Sequence, residues 1–207
     1  MEVANIVISG VTDPSKPIHL FMGGGEPDRM GIKSFKTTMK LLWKDRELDA
    51  VVTSWATGAV LIRIKRPGEI HDDGEVAEIA ELVRKEIMRR IVWAFDEPPV
   101  LKLYIQNIVT QVRLRTCVNL EDLYIYIETM RPQGIEVRYR GRTAKRGIYP
   151  PACLIYLYRG GRKTTVEIFT TGSIQVKGIS SIKDAEETVK EVEELVEKAN
   201  AYIPCPL

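Results

Sequence analysis

Two long stretches of the chain carry apolar residues at the three- and four-residue spacing of an amphipathic helix. One holds Val76, Ile79, Leu82, Val83 and Ile87, the other Ile182, Ala185, Val189, Val192 and Val196. Ahead of each lie shorter runs rich in Val, Ile, Thr and Tyr. They predict strands around residues 3–10, 34–43, 49–54 and 58–65, then 103–115, 152–158, 164–169 and 173–178. The expected order is a strand, a helical or irregular connection, several strands and a long helix, and then the same series again.

Local similarity supports a duplication. Ala4-Asn5-Ile6-Val7 resembles Gln106-Asn107-Ile108-Val109, and Trp55-Ala56-Thr57-Gly58 resembles Phe169-Thr170-Thr171-Gly172. The offsets, 102 and 114 residues, differ by about the length of a basic loop expected near Arg138 to Arg146. A period near one hundred residues is too long for a solenoid and fits two related halves. Glu97-Pro98-Pro99 marks the join, since consecutive prolines end a helix and stiffen a linker, so the halves are 1–97 and 98–207.

A helix covers one face of a sheet and leaves the other for solvent or a ligand. Alternation assigns Ile174 and Val176 to the covered face, and Phe169, Thr171, Ser173, Gln175 and Lys177 to the open one. In the first half Trp55, Thr57, Ala59, Leu61 and Arg63 oppose Val60, Ile62 and Ile64. The open faces therefore combine hydroxyls, an amide, cations and aromatic rings.

Charge sharpens this picture. The net +2 hides a segregation: Arg131, Arg138, Arg140, Arg142, Lys145, Arg146, Arg159, Arg162, Lys163 and Lys177 face only Glu136 and Glu167 in their stretch. The compensating acid gathers in the last helix, at Asp184, Glu186, Glu187, Glu191, Glu193, Glu194 and Glu197. A basic face on a nearly neutral protein suits a polyanion. The 44% hydrophobic content is that of a folded chain, and its apolar runs are short and broken by charges. No membrane span or signal peptide is expected, and the protein should be soluble and intracellular. Cys117, Cys153 and Cys205 are odd in number and far apart, which suits neither a disulfide framework nor a zinc site, so they are read as reduced thiols.

These residues together resemble the TATA-box-binding protein family, over almost the whole chain. The resemblance implies an α+β fold of two pseudo-symmetric halves forming a saddle, a curved antiparallel sheet with the long helices on its convex face. In that family a Gln-Asn-x-Val strand opens each half and meets base edges in the minor groove; Asn5 and Val7, and Asn107 and Val109, match it. The family's wedging phenylalanines resemble Phe35 and Trp55 in the first half, and Phe169 with Pro151 in the second. Thr57 and Thr171 stand in the matching turns. Departures are plain. The family's turn lysine falls on Ala59 and Ser173, and its small threonines fall on Arg63 and Lys177, so the resemblance implies DNA binding without TATA preference. The loop that receives the TFIIB-like (B-type) initiation factor is acidic in the family, but reads Arg138-Tyr139-Arg140-Gly141-Arg142 here. Such divergence, with a degraded first helix around Pro17 to Gly25, suggests a viral or fast-evolving member. The setting implied is the nucleus, or a site of viral transcription.

The expected function is a DNA-bending initiation factor. Arg138, Arg140, Arg142, Arg162 and Lys163 would serve phosphate, and the asparagines and valines the bases. Its partners would be double-stranded DNA and a TFIIB-like factor or RNA polymerase. Two alternatives stand: a protein-interaction module using helix 181–202 without DNA bending, and a single-strand binder stacking bases on Trp55 and Phe169. Enzymatic chemistry has no constellation. Gly23-Gly24-Gly25 and Gly160-Gly161 lack the residues of a phosphate loop and read as turns. His19 and His71 have no metal-like spacing, and Asp72-Asp73 beside His71 reads as a helix start. On the sheet face Glu167 stands alone, so there is no acid–base pair. No cofactor is expected.

Overall fold

The structure, a computed structural model, describes residues 1–13, 15, 34–141 and 150–205. The Pro17 to Gly25 segment with His19 and the three glycines, and Arg142, Lys145 and Arg146, lie outside the described residues. The chain divides into two compact units, Val3–Ile108 and Val109–Leu207 with Met1–Glu2.

The first unit contains β1 (Glu2–Val11), β2 (Ser34–Trp43), β3 (Arg46–Trp55), β4 (Ala59–Glu69) and α1 (Asp73–Ile91). Its strands lie in the order β2-β3-β4-β1. The β2–β3 hairpin turns on Lys44 and Asp45, both at positive φ (46° and 62°), as a two-residue hairpin loop of the primed type requires. Ile6, Ile8, Met39, Leu41, Ala50, Val52, Val60, Ile62 and Ile64 are buried on one sheet face. Against them α1 buries Val76, Ile79, Val83, Ile87 and Ile91. Asp72 starts this helix by accepting from the Glu75 N–H at 3.0 Å, while the Glu75 carboxylate accepts from the His71 N–H at 2.8 Å. His71 thus sits in the helix-starting turn that the sequence predicts.

The boundary between the units falls within β5 (Lys102–Arg113). Then come β6 (Cys117–Val118), α2 (Leu120–Met130), β7 (Ile135–Arg140), β8 (Ala152–Arg159), β9 (Arg162–Phe169), β10 (Ser173–Ile179), α3 (Ile182–Lys198) and β11 (Tyr202–Ile203). The strand order is β5-β10-β9-β8-β7, with β11 and β6 forming a separate pair. Gly160 and Gly161 turn the β8–β9 hairpin at φ 53° and 78°, matching Lys44 and Asp45 in the first unit. Ile155, Leu157, Val166, Ile168, Ile174 and Val176 are buried on one face. Leu123 and Ile127 of α2, and Ala185, Val189, Val192 and Val196 of α3, are buried with them.

Two expectations are corrected here. Residues 135–140 form an edge strand, where a basic loop was expected from Arg138 onward. Arg138 and Arg140 fill its solvent-side positions, so the charges conceal an alternation with Ile135 and Val137. The cysteines are not all reduced: Cys117 and Cys205 form a disulfide, Sγ–Sγ 2.22 Å, and Cys153 alone is a free, buried thiol. Antiparallel pairing of β11 with β6 sets Ile203 opposite Cys117 and so brings together cysteines 88 residues apart. Spacing along the chain could not announce that.

Candidate nucleic-acid interface

Strand register decides which side chains share the sheet face left open by the helices, because directly opposed residues point to the same side. In the first unit Ser34 opposes Trp55, Lys36 opposes Thr53, Thr53 opposes Leu61, and Val51 opposes Arg63. Lys36, Val51, Thr53, Trp55, Leu61, Arg63 and Lys65 line a shallow concavity on this face. Asn5 and Val7 of β1 alternate with buried Ile6 and Ile8, and are themselves partly exposed. The Asn5 side-chain oxygen has no hydrogen-bond partner among the described residues.

The second unit presents a more polar face. Phe169 opposes Ala152, Glu167 opposes both Leu154 and Gln175, and Thr165 opposes Tyr156 and Lys177. On the edge strand Arg140 opposes Ala152, Arg138 opposes Leu154, and Glu136 opposes Tyr156. Lys163 lies 3.9 Å from the centre of the Tyr156 ring and 5.8 Å from that of Tyr158, and Arg138 lies 5.7 Å from Tyr156, all within cation–π range. Glu167 is bonded to Lys177 and, at 3.2 Å, to Arg140. Gln111 donates to Ser173 at 3.3 Å. Asn107 and Val109 alternate with buried Ile108 and Thr110.

The aromatic turns are built alike. The Gly58 N–H donates to the Trp55 carbonyl at 3.0 Å, and the Gly172 N–H to the Phe169 carbonyl at 2.9 Å. Each glycine carbonyl accepts a second bond at 2.9 Å, from Thr12 and from Leu114 respectively. Both glycines take left-handed φ, 81° and 75°, which explains why glycine closes each turn. Thr57 and Thr171 are exposed at the tips.

Residues 102–199 match the family model described as transcription factor TFIID, or TATA-binding protein. Over that range the chain is similar to the TATA-binding protein family. Its fold is similar to that of Methanococcus jannaschii TATA-binding protein, with a TM-score of 0.61 at 19% identity over 95% of this chain and 97% of that one. A search of curated protein sequences gives no match.

Several residues that the TATA-binding protein resemblance singles out are placed differently by the register. Phe35 opposes Ser54, on the helix-side face with Val52 and Met39, and is separated from Trp55 by the sheet. Its place in the fold is that of Cys153 in the second unit, one position after the residue that opposes the turn aromatic. Pro151 precedes β8, and Ala152 is the residue facing Phe169. Arg162 opposes Arg159 and donates to the Ser180 hydroxyl at 3.2 Å, on the side of α3. Trp55, Arg63, Phe169, Lys177, Arg138, Arg140 and Lys163 remain on open faces. The structure adds Tyr156, Tyr158 and, once β7 is recognised, Glu136, which accepts from the Tyr158 hydroxyl at 3.1 Å. The signal for the tyrosines was the alternation of Leu154, Tyr156 and Tyr158 with Cys153, Ile155 and Leu157.

Proposed function

We propose that this chain is a non-enzymatic transcription initiation factor that binds duplex DNA through its minor groove and bends it. In this reading the open sheet face of each unit meets the groove. The matched construction of the two aromatic turns, each at the edge of an open face, carries the reading. Trp55 and Phe169 wedge between base steps, Asn5, Asn107, Val7 and Val109 meet base edges, and Arg138 and Lys163 meet phosphate. Unstacking costs a few kcal/mol per step, offset by the contact surface that bending opens. A TFIIB-like factor or polymerase then reads the helices.

The test is energy transfer between dyes on the two ends of a short duplex. Shortening of the end-to-end distance on binding supports the reading. A second reading, a protein-interaction module, draws on the exposed carboxylates of α3 at Glu186, Glu187, Glu194 and Glu197. Failure to bind any nucleic acid favours it, and preference for single strands points instead to stacking on the exposed rings.

A further inference from the structure

Glu167 does no work for the core, which lies on the opposite face of its strand, yet it is only 13% exposed. Its two carboxylate oxygens are taken separately, Oε1 by Arg140 of β7 and Oε2 by Lys177 of β10, so the triad crosses four adjacent strands of the open face. Arg140 is tied further by donating to the Pro150 carbonyl at 3.2 Å. Part-buried ion pairs of this kind contribute little net stability, because desolvation and solvent screening consume most of the Coulombic gain. Their effect on a ligand is larger. A polyanion approaching this face meets two cations that share one counter-charge, so its phosphates gain from one unit of positive charge where two cations stand.

We propose that Glu167 sets the strength and salt dependence of duplex binding by acting as an internal counter-ion for Arg140 and Lys177. This rests on the DNA-binding reading above. Each cation that neutralises a phosphate steepens the dependence of log K on log salt by about 0.9. Glu167→Gln removes the counter-charge while keeping the shape, so one further unit of positive charge becomes available to the duplex. The fall in affinity between 50 and 200 mM salt should then grow by about 3.5-fold. Affinity at the lower salt should rise.

Binding of one labelled duplex by wild type, Glu167→Gln, Lys177→Gln and the double variant, each across a salt series, tests this. Lys177→Gln alone leaves Arg140 fully matched by Glu167 and should lower the slope by about 0.9, and the double variant, which leaves Arg140 unmatched, should return to the wild-type slope. Equal slopes for wild type and Glu167→Gln overturn the proposal, as does a double variant with the slope of Lys177→Gln alone. If Glu167→Gln does not fold with both cations present, the double variant, which keeps one, decides by the same comparison. Absence of duplex binding by wild type itself overturns the function and this inference together, whereas the other failures leave duplex binding intact.

Discussion

Reducing the Cys117–Cys205 bridge should lower stability by an amount set by the loop it closes. Residues 202–203 pair with 117–118, and the Asn119 N–H donates to the Ala201 carbonyl at 2.8 Å, so the C-terminal strand is held against the start of α2. The bridge spans 88 residues, for which the chain-entropy relation gives about 4.6 kcal/mol; bridges in folded proteins more often return about 2–4 kcal/mol. Taken as about 3 kcal/mol, and at roughly 2–4 °C per kcal/mol for a chain of this size, reduction should lower Tm by roughly 6–12 °C. Thermal melting with and without a phosphine reductant measures this, and Cys205→Ser should melt with the reduced protein whether or not reductant is present. Thiol titration gives the independent check. Unfolded without reductant, the protein should show one thiol, from Cys153, whose burial pushes it up to about 12 and silences it in the native state. Three thiols under those conditions, or an unchanged Tm on reduction, would refute the reasoning and restore the expectation of free cysteines.

Trp55→Ala and Phe169→Ala should shift Tm by the equivalent of no more than about 1 kcal/mol while reducing the DNA bend and speeding dissociation, since both rings are part-exposed at turns. Large losses of Tm would make them core residues. Gly172→Ala should destabilise by more than the roughly 1–2 kcal/mol of left-handed strain, because a Cβ would lie 2.2 Å from the Thr116 carbonyl oxygen; a urea midpoint within error of wild type would contradict that. The Glu86 carboxyl is held down to about 2, first by the Arg89 guanidinium and then by Arg90, against the opposing effect of burial. Its folded value lies below the ordinary 4.5, so its contribution is full above that pH and is lost as pH falls toward 2. With Arg89 71% exposed, solvent screening leaves no more than about 1 kcal/mol, and the stability gap between wild type and Glu86→Gln should close over that window. A gap as wide at pH 2 as at pH 7 would show that it has another source.

Periodicity alone placed α1, α3 and the strands other than β6, β7 and β11, because an apolar position every second or every three to four residues has one way to be buried. It also identified the open faces: Ile174 and Val176 are covered, and Gln175 and Lys177 are not. The aromatic turns were legible for a different reason, since a left-handed position favours glycine and each turn has one in the same place. Edge strand β7 was hidden because its open-face positions carry arginines, and a six-residue strand offers too little alternation to outweigh them. Pairings between distant segments were beyond the sequence altogether. Whether Phe35 shares a face with Trp55 depends on a register between two strands, and a one-residue slip moves the ring to the other side of the sheet. Glu167 had no visible partner because Arg140 and Lys177 reach it from other strands, 27 and 10 residues away. The disulfide closes only once β11 has come back to β6. Local pattern fixes which face of an element is apolar, but the neighbours that meet across a sheet are chosen by the packing of the whole unit.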